Sequence, residues 1–423
     1  MARWLDVPTA GGTCTTDRIA MTTLPADAVV DRRTRPKDRK QRILIKAAEL
    51  FRASGYAAVA MSDIAAGVGI GPSALYRHYR NKQELLLAAF DQALSRYEEA
   101  VRGVDDPFEV ARNVVGIAAQ SQTLDALWSR DKGHVGPVAR SDLRVRIVEV
   151  SETIAAAIAK DAPPDAVPAD AAAWSILAMV NWPGHRPLPV PPGDRDRVLS
   201  AAVRAAVECA RRPDSSPDMA PRVTDLPVPM DPGAGLLPVA RREAVLNAAI
   251  TMFAVHGYSN VSLDDIGDVV GIAGPSVYNH FSSKRELLAC GLDRAVAAMW
   301  LELGQVLSRS VDAAQALDDL LACYARFAQA HWDLIAVSLS HSVALDDEAL
   351  LALARAYQDY VGEWRRLVQA CRPELRSDEA HALVELALAV INGVVRVDNL
   401  RGPVLPGHAQ LLAKAVLNAP LAV

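Results

Sequence analysis

The stretch from Arg39 to Leu86 occurs twice. It returns without a gap as Arg241 to Leu288, with 18 identities in 48 positions at a constant offset of 202 residues. The identities include Phe51/Phe253, Gly55/Gly257, Tyr56/Tyr258, Asp63/Asp265, Gly69/Gly271, Tyr76/Tyr278, His78/His280 and Lys82/Lys284. Two copies are too few for a solenoid, which needs at least three stacked repeats. An offset of domain size predicts two complete domains of one type in tandem. A chain of 423 residues is long enough for each to bury its own core.

Hydrophobic residues make up 51% of the chain and aromatics only 5%, a balance dominated by Ala, Leu and Val that reads as helix-rich. Charged residues interrupt every apolar run before the roughly 18 residues of a membrane span. The opening MARWLDVPTAGGTC has no apolar core followed by a small-residue cleavage site, so the expectation is a cytoplasmic protein without membrane association. Cys14, Cys209, Cys290, Cys323 and Cys371 are scattered and form no CxxC pair, which argues against a disulfide framework or a zinc site. They read as small core residues.

The net charge of −5 conceals segregation. Residues 31–42 (DRRTRPKDRKQR) carry seven Lys/Arg against two Asp, a concentrated basic segment on an acidic chain. Such a segment suits a polyanion-facing surface; its rival reading is a solvated tail.

The sequence divides as follows. Residues 1–35 lack periodicity and read as a disordered arm. A helix is predicted from Pro36, with Ile43, Ala47, Leu50 and Phe51 on one stripe and Gly55 as its stop. Two short helices follow in each copy, joined by Val68-Gly69-Ile70 and by Val270-Gly271-Ile272. Ser262 and Asp265 suit a capping box at the start of the second copy's pair, whereas the first copy has Ala60 there and could use Ser62 instead. A bracing helix ahead of two short helices with a Gly-containing turn is the helix-turn-helix arrangement. The first such domain is placed at 36–86 and the second at 239–288. Residues 87–212 and 289–423 read as helical domains, the first punctuated at Gly133, Pro137, Pro163-Pro164 and Pro183-Gly184. Residues 213–238, with seven prolines, read as the linker.

The run Gly69-Ile70-Gly71-Pro72-Ser73-Ala74-Leu75-Tyr76-Arg77-His78-Tyr79, followed by Lys82 and Glu84-Leu85, resembles the DNA-binding signature of TetR/AcrR-type regulators. Gly271-Ile272-Ala273-Gly274-Pro275-Ser276-Val277-Tyr278-Asn279-His280-Phe281, followed by Lys284 and Glu286-Leu287, resembles it again. The signature covers about 50 residues per copy; beyond it, the resemblance is one of length and helical character. It implies an all-α fold of two modules, each a helix-turn-helix bundle followed by a helical ligand and dimerisation bundle. One chain would then form an intrachain pseudo-dimer on double-stranded operator DNA.

The resemblance implies recognition helices at Pro72 to Tyr79 and Gly274 to Phe281. Gly71, Pro72, Ser73 and Ala74, and Ala273, Gly274, Pro275 and Ser276, are small enough to let a helix N-terminus approach phosphate and bases. Tyr76 and Tyr278 would lie against phosphate or thymine methyls, His78 and His280 would donate to phosphates, and Lys82 and Lys284 would clamp the backbone. Each has a rival structural role: core packing for the tyrosines, a satisfied structural histidine, a solvated lysine. Arg77 aligns with Asn279, pairing a guanine reader with an adenine reader. Arg39 and Lys40 belong to the basic arm, against only Arg241 and Arg242 in the second copy, so the operator is expected to be asymmetric.

Neither GxSxG, HExxH, a P-loop nor GxGxxG after a strand occurs, and no cofactor or metal is expected. His331 and His341 stand ten residues apart, too far to share a metal on one helix. The resemblance also implies a small-molecule pocket in each helical part; Trp174, Met179, Trp182, Tyr324, Phe327 and Trp332 are candidate lining residues, with ordinary core as the rival. Tandem members of the family are similar to actinobacterial repressors of lipid- or sterol-uptake operons, which suggests an apolar effector. The expected function is a ligand-released transcriptional repressor rather than an enzyme. Its rivals are a constitutive DNA-organising protein and a helical protein-interaction module.

Overall fold

The computed structural model describes residues 36–120, 134–213, 231, 236–341, 344–402 and 404–421. The expected N-terminal arm at 1–35 and most of the expected linker lie outside them. The described residues form α-helices and short 3-10 turns, with no strand among them. The chain divides between Ala89 and Phe90 into two compact units.

The first unit contains α1 (Pro36–Ser54), α2 (Met61–Val68), α3 (Pro72–Tyr76) and the start of α4 (Lys82–Val101). Ile43, Ala47 and Phe51 of α1 are fully buried, as the one-stripe pattern requires, together with Ile64, Leu75 and Leu85. Asp63 caps α2 by accepting the Ala60 N–H at 2.8 Å. Ala60 is thus the N-cap, not Ser62, and the box is half-formed because alanine offers no acceptor. Gly69 ends α2 at φ +73°, a left-handed conformation that glycine adopts without steric cost.

The second unit begins with the rest of α4, then α5 (Pro107–Gln120), α6 (Pro137–Ala159), α7 (Ala169–His185) and α8 (Pro192–Cys209). The break expected at Pro183-Gly184 falls just beyond it, after His185, and Pro183 itself stays within the helix. It lies buried in the last turn of α7, where a missing N–H removes only one helical bond before the helix stops at His185. The second helix-turn-helix follows: α9 (Arg241–His256), a 3-10 turn (Tyr258–Asn260), α10 (Leu263–Val270), α11 (Gly274–Val277) and α12 (Lys284–Arg309). Its core gathers Phe253, Ile266, Val277, Phe281 and Leu287. Here the capping box is complete, with Ser262 N–H donating to Asp265 at 2.7 Å and Asp265 N–H to Ser262 Oγ at 3.1 Å.

The chain ends in α13 (Ala313–Ala330), α14 (Trp332–Ser340), α15 (Asp347–Cys371), α16 (Ser377–Val394) and α17 (Leu405–Leu417). Helices α7 and α8 pack against α16 and α17, joining the helical parts of the two copies face to face. α7 and α16 cross closely: a Cβ on Gly393 would fall 2.3 Å from that of Ala178. Trp182 Nε1 donates to Glu385 at 3.0 Å across the joint, and Tyr357 OH donates to the same carboxylate at 2.8 Å. Arg186 stacks 3.5 Å from the centre of the Tyr357 ring. These polar contacts, with the ion pairs Arg197–Glu379 and Arg376–Asp194 across the same joint, fix the register of the interface.

Candidate nucleic-acid interface

Both recognition segments are shorter as helices than the sequence suggested. α3 stops at Tyr76 and α11 at Val277, because the backbone then tightens: His78 N–H bonds to Leu75 O at 2.9 Å, and His280 N–H to Val277 O at 3.0 Å. The tightening turns Tyr79 and Phe281 inward, where both are buried. It leaves Tyr76 52% exposed and Tyr278 59% exposed, the same large ring offered to solvent at the same position twice. Arg77 and Asn279 beside them are exposed, and His78 and His280 are half-buried. Pro72, Ser73 and Pro275 are exposed, Ala74 and Ser276 half-buried, and Gly274 buried against Asp264. Gly71 and Ala273 cap the two short helices without a side-chain acceptor.

The lysines turn inward. Lys82 Nζ donates to Tyr56 O at 2.6 Å and Val59 O at 2.8 Å, with its charge 4.3 Å from the Tyr56 ring centre. Lys284 does the same with Tyr258 O at 2.6 Å, Val261 O at 2.8 Å and the Tyr258 ring at 4.4 Å. Burial pushes the Lys284 ammonium below its ordinary 10.5 and raises the Tyr258 hydroxyl. These contacts tie the turn after the bracing helix to the start of the helix after the recognition segment. The donors that the sequence offered to phosphate thus serve carbonyls of the turn that follows each bracing helix.

The basic residues differ between copies. Arg39 and Lys40 are exposed at the start of α1, Lys40 lying 5.4 Å from the Tyr79 ring centre. In the second copy Arg241 Nη1 donates to Val270 O at 3.1 Å, at the C-terminal end of α10, where a cation meets unsatisfied carbonyls. Arg242 stacks 4.5 Å from the Phe281 ring centre. Arg80 of the first copy is exposed where the second has Ser282, whose N–H and Oγ are held by Glu286 at 2.7 Å.

Of the six pocket candidates, Trp174 and Trp332 line a cavity of about 920 Å³ within the second unit. The other four do not. Met179 is core, Trp182 is engaged with Glu385, Tyr324 OH donates to Asn392 Oδ1 at 2.9 Å, and Phe327 packs on His331 at 4.9 Å. The cavity also takes Tyr97, whose hydroxyl donates to Asn181 Oδ1 at 3.2 Å. Asn181 and Asn392 escaped the sequence reading, although Ala178-Met179-Val180-Asn181 and Ala389-Val390-Ile391-Asn392 repeat an Ala-x-x-Asn spacing that marks them. No group of three or more His, Cys, Asp or Glu able to hold a metal occurs among the described residues. No helix among them is long and apolar enough to cross a membrane.

Two copies of one helix-turn-helix unit, each presenting its recognition segment to solvent, set the described residues in the helix-turn-helix class of all-α folds. More narrowly, both helix-turn-helix segments match the tetR type: the family model described as bacterial regulatory proteins, tetR family, matches residues 43–89 and again 245–289. The chain is 38% identical over 77 residues to the HTH-type transcriptional activator FasR of Mycolicibacterium smegmatis, covering 18% of this chain and 35% of that protein. It is 39% identical over 59 residues to the HTH-type transcriptional repressor KstR2 of the same organism, covering 14% of this chain and 29% of that protein. Both likenesses thus span about a third of the relatives' lengths. Among solved structures, the ketosteroid transcriptional regulator KstR2 of Mycobacterium tuberculosis aligns at 20% identity with a TM-score of 0.38, over 43% of this chain and 95% of that one.

Proposed function

We propose that the protein is a sequence-specific transcriptional regulator that binds double-stranded operator DNA, a repressor released by a small apolar effector. The observation that carries this reading is the twice-repeated exposed face of Tyr76-Arg77 and Tyr278-Asn279, set on buried cores by inward lysines. A large aromatic ring left in water at the same position in two copies is unexplained by packing and suits phosphate or thymine-methyl contact. The helical parts joined through α7, α8, α16 and α17 support a single chain acting as a pseudo-dimer. In this reading Tyr76, Arg77, His78, Tyr278, Asn279 and His280 face DNA, Arg39 and Lys40 add non-specific affinity, and Lys82, Lys284 and Arg241 hold the segments in place. The domain divisions drawn from the sequence, a cytoplasmic location and an asymmetric operator belong to the same proposal.

The test is fluorescence anisotropy of the full chain against duplex from its own upstream region at graded salt. A steep fall of affinity with salt, and a wide margin over scrambled duplex, are expected. Salt-independent or absent binding would favour a protein-interaction module instead.

A further inference from the structure

We propose that the cavity in the second unit binds one amphipathic anion per chain, an apolar body ending in a carboxylate, and that the second helix-turn-helix domain reads its occupancy. The first claim stands on the cavity; the second rests on the regulatory reading above.

The cavity lies within the second unit, lined by α4, α6 and α7 from the first copy and by α9, α14 and the end of α16 from the second. At about 920 Å³ it falls within the range of small-molecule sites. Trp174, Leu177, Ile147 and Trp332 give it an apolar wall. Among the described lining residues stand three arginines, Arg140, Arg144 and Arg396, the last with its Nε donating to Asn392 O at 3.1 Å, and one carboxylate, Asp398. Asp398 is already matched, by Arg144 at 3.2 Å and by Arg401. The Arg140 guanidinium has no acceptor among the described residues. The Arg140 guanidinium, in one cavity with two indole rings, suits neither a neutral hydrocarbon nor a wholly polar anion. An apolar acid satisfies both walls at once, its carboxylate accepting from a guanidinium fork.

The link to DNA binding is local. The cavity touches His256, the last residue of α9, and Asn260, whose Nδ2 donates to His256 O at 2.9 Å. On its other side the same turn is held by Lys284 through Tyr258 O and Val261 O. Lys284 opens α12 directly after the recognition segment. A ligand that shifts His256 and Asn260 therefore displaces the anchor of that segment.

The test is calorimetric titration of the full chain with dodecanoate, with dodecanol as the neutral control. One site per chain is expected, with dodecanol at least about tenfold weaker, the scale of one charge-assisted hydrogen bond. Arg140→Gln should weaken dodecanoate by a similar factor and leave dodecanol unchanged; Ala336→Phe, which fills the cavity from α14, should abolish binding of both. Absence of saturable binding, equal affinity for acid and alcohol, or indifference to both substitutions would overturn the site. Binding as described without any change in DNA affinity would overturn only the coupling. A chain that takes dodecanoate but never DNA would support the site and remove the regulatory reading.

Discussion

The ammonium of Lys284 lies 2.6 Å from the carbonyl oxygen of Tyr258, and the pair ties the turn after α9 to the beginning of α12 across the recognition segment. Lys284→Ala leaves two carbonyls short of a donor and should cost about 1–3 kcal/mol, read as a lowered urea midpoint. Its effect on DNA binding should be a loss of affinity with an unchanged salt slope. A phosphate contact would instead lower that slope by about one.

Glu385 accepts from both Trp182 and Tyr357 inside the joint between copies. Glu385→Ala strands both donors and should destabilise the second unit by about 2–4 kcal/mol. In a double-mutant cycle with Trp182→Phe, the two losses should fall short of additive. Strict additivity would mean that the hydrogen bond contributes nothing to the joint.

Asp333 is buried against the bracing helix, its Oδ2 accepting from Thr251 Oγ1 at 2.8 Å and its Oδ1 from the Leu334 N–H at 2.8 Å. Burial raises its pKa above the ordinary 3.8, with the Thr251 bond opposing. The folded state thus keeps this proton to higher pH than the unfolded chain. The contribution is fully present below the unfolded value and is lost as pH rises through the folded one. Neighbouring His331 runs the other way: burial lowers its pKa below 6.5, so its penalty grows on acidification. Asp333→Asn keeps an acceptor and removes the charge. It should raise the urea midpoint at pH 8 more than at about pH 3, below the unfolded value; a wild type more stable than the variant at pH 8 would contradict this.

Gly267 stands where the first copy has Ala65, and the substitution is not free. A Cβ on Gly267 would lie 2.7 Å from the carbonyl oxygen of Ile272. Gly267→Ala should cost about 1–3 kcal/mol by forcing α10 from the turn that follows it, measured by denaturation. A neutral outcome would show that the second copy tolerates the first copy's spacing.

Arg77→Ala should cost about 1–3 kcal/mol of DNA binding and relax base preference in one half-site only, as read by selection from randomised duplexes. Uniform weakening on every sequence would place the guanidinium on phosphate.

Much of this architecture was legible because a repeat and a 3.6-residue stripe are local signals: Ile43, Ala47 and Phe51 marked their buried face, and Gly69 and Gly271 marked their turns. The recognition segments, though present at the expected places, ended early because the inward pull on Tyr79 and Phe281 is tertiary. The lysines were recognisable as repeated, yet their partners, the carbonyls of Tyr56 and Tyr258, lie 26 residues away and carry no side-chain signature. The cavity was least legible. Arg140 and Arg396 stand far apart in sequence, and only the packing of distant helices brings both to one cavity. Four of the six aromatic and sulfur-bearing candidates were apolar enough for a pocket but were claimed by the core or by hydrogen bonds within it.

The central claim is that one chain supplies both recognition segments to one operator. Native mass spectrometry of the full chain with duplex from its own upstream region tests it directly. One chain per duplex is the predicted stoichiometry, retained when the duplex is shortened to two successive major-groove half-sites. Two chains on that shortened duplex, with no one-chain complex at any ratio, would contradict it.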